Sequence, residues 1–93
     1  MSNDERVRNN RLKSRYGISL QEYLTLKVKQ NYSCAICLRH ESTFQKQLAV
    51  DHDHKTGKVR GLLCRYCNQY LLTNLNEDAE RALRAYKYLI GDL

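Results

Sequence analysis

A small α+β domain, with a β-hairpin flanked by N- and C-terminal helices and stapled by metal, is the fold class this sequence predicts. Three observations point to it. The chain has 93 residues, enough for one domain but too few to bury a large core without a staple. Cys34-x2-Cys37 and Cys64-x2-Cys67 are two paired-thiol turns. The 26 residues between the pairs hold two short strand patterns around a Thr56-Gly57 turn signal.

The elements follow in order. Residues 1–16 read as a basic N-terminal arm or helix, with Val7 and Leu12 as its clear apolar positions. Residues 17–93 read as the domain proper. Gly17 breaks the first segment, and Ser19-Leu20-Gln21-Glu22 forms a capping box with Ile18 and Tyr23 as its staple. Leu20, Tyr23, Leu24 and Val28 then recur at helical spacing, giving a helix of about three turns that ends near Gln30-Asn31. Gln47–Val50 and Lys58–Leu63 are the strand candidates. A helix is expected from Arg65 to about Leu72, starting inside the second thiol pair. Asn76 is the expected cap of a last helix, whose stripe of Ala79, Leu83, Tyr86 and Ile90 is expected in the core or on a dimer surface.

Charge is uneven: +4 over residues 1–33, +3 over 34–67 and −1 over 68–93. A basic first two-thirds predicts a polyanionic partner, with DNA the leading candidate. Residues 1–10 are polar and lack the pattern of a secretory leader, and no stretch approaches the length of a membrane span. A reducing, cytoplasmic setting and no membrane partner are therefore expected. There, paired cysteines more often hold metal than form disulfides. Four thiolates in two such turns complete a tetrahedral zinc site with no open position, so the expected zinc on Cys34, Cys37, Cys64 and Cys67 is structural.

Inside the thiol gap lies Val50-Asp51-His52-Asp53-His54-Lys55. Hydrolysis of a phosphodiester needs a base for water, a divalent cation for the phosphate charge, and cationic side chains to hold the polyanion. Neutral His52 suits the base near neutral pH. Asp51 is a hard oxygen ligand for magnesium or manganese. Asn68, fixed beside Cys67, is the candidate for a second protein oxygen. Lys55, Lys58, Arg60 and Arg65 would hold backbone phosphates, and Arg6 to Arg15 would add a salt-sensitive contact. His40 reads as an exposed loop group.

Cys34-Ala35-Ile36-Cys37, the run Val50 to Cys64 and Cys67-Asn68, preceded by Tyr16-Gly17-Ile18-Ser19 and Glu22-Tyr23, resemble the recombination endonuclease VII family of phage nucleases, within the HNH superfamily. The resemblance implies a ββα-metal finger with a four-cysteine zinc site beside it, inside the host bacterium's cytoplasm. It implies that Asp51 and Asn68 bind the catalytic cation, that His52 activates water, and that His54 contacts the phosphate or assists at the metal. Products would carry a 5′-phosphate and a 3′-hydroxyl. Leu71 stands where the junction-resolving member has an acidic residue, so no carboxylate role is expected there.

A metal-dependent DNA endonuclease that nicks or cuts both strands, as monomer or homodimer, is thus the leading expectation. The alternatives are a dimeric resolvase of branched DNA, such as a Holliday junction, and a non-catalytic zinc module that binds nucleic acid.

Overall fold

The computed structural model describes residues 1–92. Helix α1 (Asn3–Tyr16) opens on a capping box in which Ser2 Oγ accepts from Glu5 N–H and the Glu5 carboxylate accepts from Ser2 N–H. It ends at Gly17, whose φ of 72° places it in the left-handed region open to glycine. Helix α2 (Leu20–Lys29) starts on the expected Ser19–Glu22 box. The first segment is therefore a well-capped helix. Leu12 anchors it in the core, and Asn9 Oδ1 accepts from Leu20 N–H at the start of α2 (2.8 Å).

The buried face of α2 differs from the expected stripe. Leu20, Tyr23 and Lys27 are buried, whereas Leu24 and Val28 face solvent. Lys27 can lie inside because Glu41 meets its ammonium at 2.8 Å and Tyr23 offers a ring face, 4.9 Å from nitrogen to centroid. Tyr23 in turn donates its hydroxyl proton to Leu48 O (2.7 Å).

Strands β1 (Ala49–His52) and β2 (Val59–Leu63) form the antiparallel hairpin. β1 begins two residues later than its candidate segment and takes Asp51 and His52 into the ladder. Asp51 faces Gly61 and His52 faces Val59, so Arg60 is the extra residue of a β-bulge. The outer edge of β2 is closed by a side chain: the Gln30 amide accepts from Leu62 N–H and donates to Leu62 O, both at 2.9 Å. Ala35 N–H also reaches Leu62 O (3.2 Å), tying the first thiol turn to the strand.

Residues 65–74 are helical and form α3. Its middle, Cys67–Leu71, is a wide π-helical turn, and Leu72–Asn74 is α-helical. Helix α4 (Ala79–Leu89) follows a turn in which Asn76 and Glu77 have φ of 55° and 50°. Asp78, not Asn76, caps α4, accepting from Glu80 N–H and Arg81 N–H. A residue in the left-handed region cannot serve as an extended cap, which is why the role passes two residues on. The α4 stripe is also not core: Leu83, Tyr86 and Ile90 are at least half exposed. No helix among the described residues is long and apolar enough to cross a membrane.

The core is small and centred on the thiols. Among the described residues, Leu62, Cys34 and Cys67 are the largest fully buried side chains, joined by Leu12, Leu20, Tyr23, Leu48, Val50, Leu63 and Cys64.

Candidate metal centre and active site

Two tight turns bring the thiols together. In the first, Cys34 N–H donates to Arg39 O and Leu38 N–H to Cys34 O, each at 3.0 Å, with Leu38 at φ 65°. In the second, Cys67 N–H points at Cys64 Sγ (3.5 Å) and Asn68 N–H at Cys64 O (3.0 Å). All four sulfurs lie within 4.8 Å of one another. Cys37 Sγ and Cys64 Sγ are 3.8 Å apart, far beyond a disulfide bond, and the four cysteines are free. Four sulfurs about 2.3 Å from one ion sit about 3.8 Å apart along a tetrahedral edge. The cluster is therefore consistent with a structural zinc site. Burial opposes ionisation of Cys34, but backbone hydrogen bonds from Cys64, Cys37 and Ile36 outweigh it and bring the thiol down to about 6. Burial and the neighbouring sulfurs push the Cys67 thiol well up. A bound cation reverses that preference, because it favours every thiolate at once.

The hairpin's open end holds the second group of residues. Asp51 is buried, and both its oxygens accept from one guanidinium: Arg60 Nε to Oδ2 at 2.7 Å, Nη2 to Oδ1 at 3.0 Å. The bulge sets this pair, because an in-register Arg60 would face the opposite side of the ribbon. Arg60 Nη2 also reaches Glu77 Oε1 (2.8 Å), and Glu77 Oε2 meets His54 Nδ1 (2.6 Å). Asp51 and Glu77 hold the guanidinium firmly protonated. Arg60, and then His54, hold the Glu77 carboxylate below its usual range.

His52 ends β1, half-buried between two rings. Tyr16 lies 5.6 Å away centroid to centroid, and His54 stands edge-on at 5.0 Å. Asp53 builds the turn: its Oδ1 accepts from Lys55 N–H (2.7 Å) and Thr56 N–H (3.1 Å), which lowers its pKa. His52 and His54 flank Asp53, and as alternate residues of an extended segment they share a face. Asn68 is half-buried in the wide turn of α3, next to the thiol that fixes it. Lys55, Lys58 and Arg65 are exposed, and Arg65 contacts Gln69 (3.1 Å). Arg60 is the expected phosphate ligand already engaged, as a partner of two carboxylates. His40 is exposed as expected and also caps a short turn, its Nδ1 accepting from Ser42 N–H (3.0 Å).

The donor set suits a hard cation in part. Asp51 offers a buried carboxylate whose hydrogen bonds, among the described residues, come from one movable side chain. Asn68 offers an amide oxygen. Among the described residues, the cysteine quartet is the one place where three or more His, Cys, Asp or Glu ligand atoms gather. Glu77, expected by composition in the first turn of the last helix, stands before that helix and reaches the hairpin instead, and neither this nor the Gln30 and Tyr16–His52 contacts has a local signal in the sequence. Glu77 lies 23 residues from His54, and only the left-handed turn before α4 brings it there.

The model of the family described as Recombination endonuclease VII matches residues 9–91. The Gene 59 protein of Mycobacterium phage D29 is 46% identical over 79 residues, covering 85% of this chain and 47% of that protein. The Gene 59 protein of Mycobacterium phage L5 is 45% identical over 81 residues, covering 87% of this chain and 49% of that protein. The chain thus spans about half the length of these curated relatives. No solved structure matches it.

Proposed function

The chain belongs to the recombination endonuclease VII family, and from that premise we propose that it is a divalent-metal-dependent DNA endonuclease working at the bulged end of its hairpin. The supporting observation is the buried Asp51 carboxylate beside His52, on a ribbon fastened by the thiol cluster that would hold zinc. Asp51 and Asn68 would hold magnesium or manganese, which supplies positive charge against the scissile phosphate when bound. His52 takes a proton from water as its oxygen bonds to phosphorus; the bond to the 3′ oxygen breaks, and that oxygen takes up a proton from solvent water, leaving a 5′-phosphate and a 3′-hydroxyl. His54 faces the same phosphate. Lys55, Lys58 and Arg65 hold flanking phosphates, and these contacts position the DNA without reading its sequence. Arg8, Arg11 and Arg15 line one groove of α1 that runs towards Tyr16, and so towards His52. They extend the cationic track.

The deciding experiment is conversion of supercoiled plasmid to nicked or linear DNA by the zinc-loaded chain with magnesium or manganese. No conversion with either metal would leave a zinc module that binds nucleic acid. The uncovered stripe of α4 favours a second reading, a homodimer acting on branched DNA. Faster cutting of a four-way junction than of a linear duplex is its mark.

A further inference from the structure

We propose that Glu77 is a positioning residue of this site, its carboxylate holding His54 and Arg60 at once and, through the His54 ring, fixing His52. This deepens the endonuclease reading and rests on it for its catalytic consequence. Three observations support it. First, the two oxygens of Glu77 are divided between two partners from the hairpin: Oε2 meets His54 Nδ1 at 2.6 Å, and Oε1 accepts from Arg60 Nη2 at 2.8 Å. The same Arg60 nitrogen donates to Asp51 Oδ1, so one continuous chain runs from Asp51 to His54.

Second, the His54 ring stands edge-on to His52, 5.0 Å between centroids. A proton on His54 Nδ1 directed at Glu77 fixes both tautomer and ring plane, leaving Nε2 as the free nitrogen. A rigid His54 restricts the ring it abuts. Third, Glu77 sits at φ 50°, and Asn76 before it at 55°. A left-handed glutamate is uncommon, and the surrounding structure must over-determine it. Asp78 caps α4 immediately after, so the start of that helix sets where the carboxylate lies. An isolated exposed ion pair would stabilise little. Here two partners share one carboxylate and order a cleft of about 530 Å³ between the hairpin turn and α4.

Glu77→Gly separates positioning from folding, because glycine relieves the left-handed backbone while removing the carboxylate. Glu77→Gln keeps the shape and an acceptor for His54. The first readout is the His54 tautomer, from long-range ¹H–¹⁵N spectra of the zinc-loaded full chain at a pH where the imidazole is neutral. The proton is expected on Nδ1 in the wild type and the glutamine variant, and mainly on Nε2 in the glycine variant. Identical His54 signals in all three overturn the assignment. The second readout is steady-state cleavage. For Glu77→Gly, kcat should fall about tenfold to a hundredfold with KM changed by less than about twofold, and Glu77→Gln should recover part of the loss. Unchanged kcat overturns the positioning role. A wild-type chain that cuts no DNA removes the endonuclease reading, while the tautomer result still decides whether Glu77 holds His54.

Discussion

Arg60 embraces Asp51 with two parallel hydrogen bonds at 2.7 and 3.0 Å, and it does so from the unpaired position of a β-bulge. Asp51 is the deepest carboxylate of the hairpin, and Arg60 supplies the positive charge that it would otherwise draw from a cation. Arg60→Met should therefore do two opposite things. It should destabilise the chain by about 1–3 kcal/mol, less than a fully buried pair would, because the guanidinium is partly exposed. It should also make manganese raise the melting temperature more than in the wild type, since a competing charge has gone. A thermal shift series with and without manganese checks both. An equal response to manganese in the two proteins would remove Asp51 from the cation site.

His52→Ala should abolish cleavage while leaving DNA affinity within about a few-fold, because an uncharged base contributes little to holding a polyanion. Asp51→Asn should also stop cleavage, through loss of the anionic ligand. Gel-shift titrations beside the plasmid assay separate binding from chemistry. Parallel loss of both in His52→Ala would contradict the base assignment.

Removing the thiol-bound metal should unfold the chain, because among the described residues three of the ten buried apolar ones are Cys34, Cys64 and Cys67. Far-ultraviolet circular dichroism during chelation should show lost helix and strand, restored by zinc. Cobalt in place of zinc should give the intense visible and near-ultraviolet bands of tetrahedral thiolate coordination. Cys34→Ser should lose those bands' four-sulfur pattern.

The Lys27–Glu41 pair gives a pH dependence with a definite sign. Burial raises the Glu41 pKa, but the Lys27 ammonium and Leu48 N–H prevail, so in the folded chain it lies below the ordinary glutamate value. Its contribution is full above the unfolded value and is lost as pH falls through the lowered one. Glu41→Gln leaves a buried ammonium without its counter-ion and should cost about 2–4 kcal/mol at neutral pH. The gap to the wild type should narrow as acid is added. Metal loss at low pH affects both proteins, so the difference between them is the quantity to follow. A constant gap from neutral to acid would mean that the pair is not the source.

Much of this architecture is legible in the residues. Ser19 and Glu22 announce the start of α2, the two thiol pairs announce the cluster, and Thr56-Gly57 announces the turn of the hairpin. What escapes is non-local. The strand β1 runs on to His52 because Gly61 and Val59 pair with it, and no periodicity within Gln47–Val50 carries that information. Lys27 replaces Leu24 and Val28 on the buried face because Glu41 and Tyr23 accommodate its charge. Asn76 reads as a cap by composition, yet the left-handed turn passes that role to Asp78 and sends Glu77 to the hairpin. The α4 stripe has the periodicity of a core helix, but a core this small has no surface left to cover it.

The Gln30 amide occupies the place of a missing third strand, reading both the N–H and the C=O of Leu62. A Cβ at Gly61 would stand 3.1 Å from Gln30 Oε1, so the neighbouring position has to remain bare for the amide to lie flat. Helix α2 therefore sets the alignment of a ribbon thirty residues downstream, and the two travel as a unit. Transplanting the hairpin alone into another scaffold would leave its margin open to foreign chains. A graft has to bring the glutamine with it.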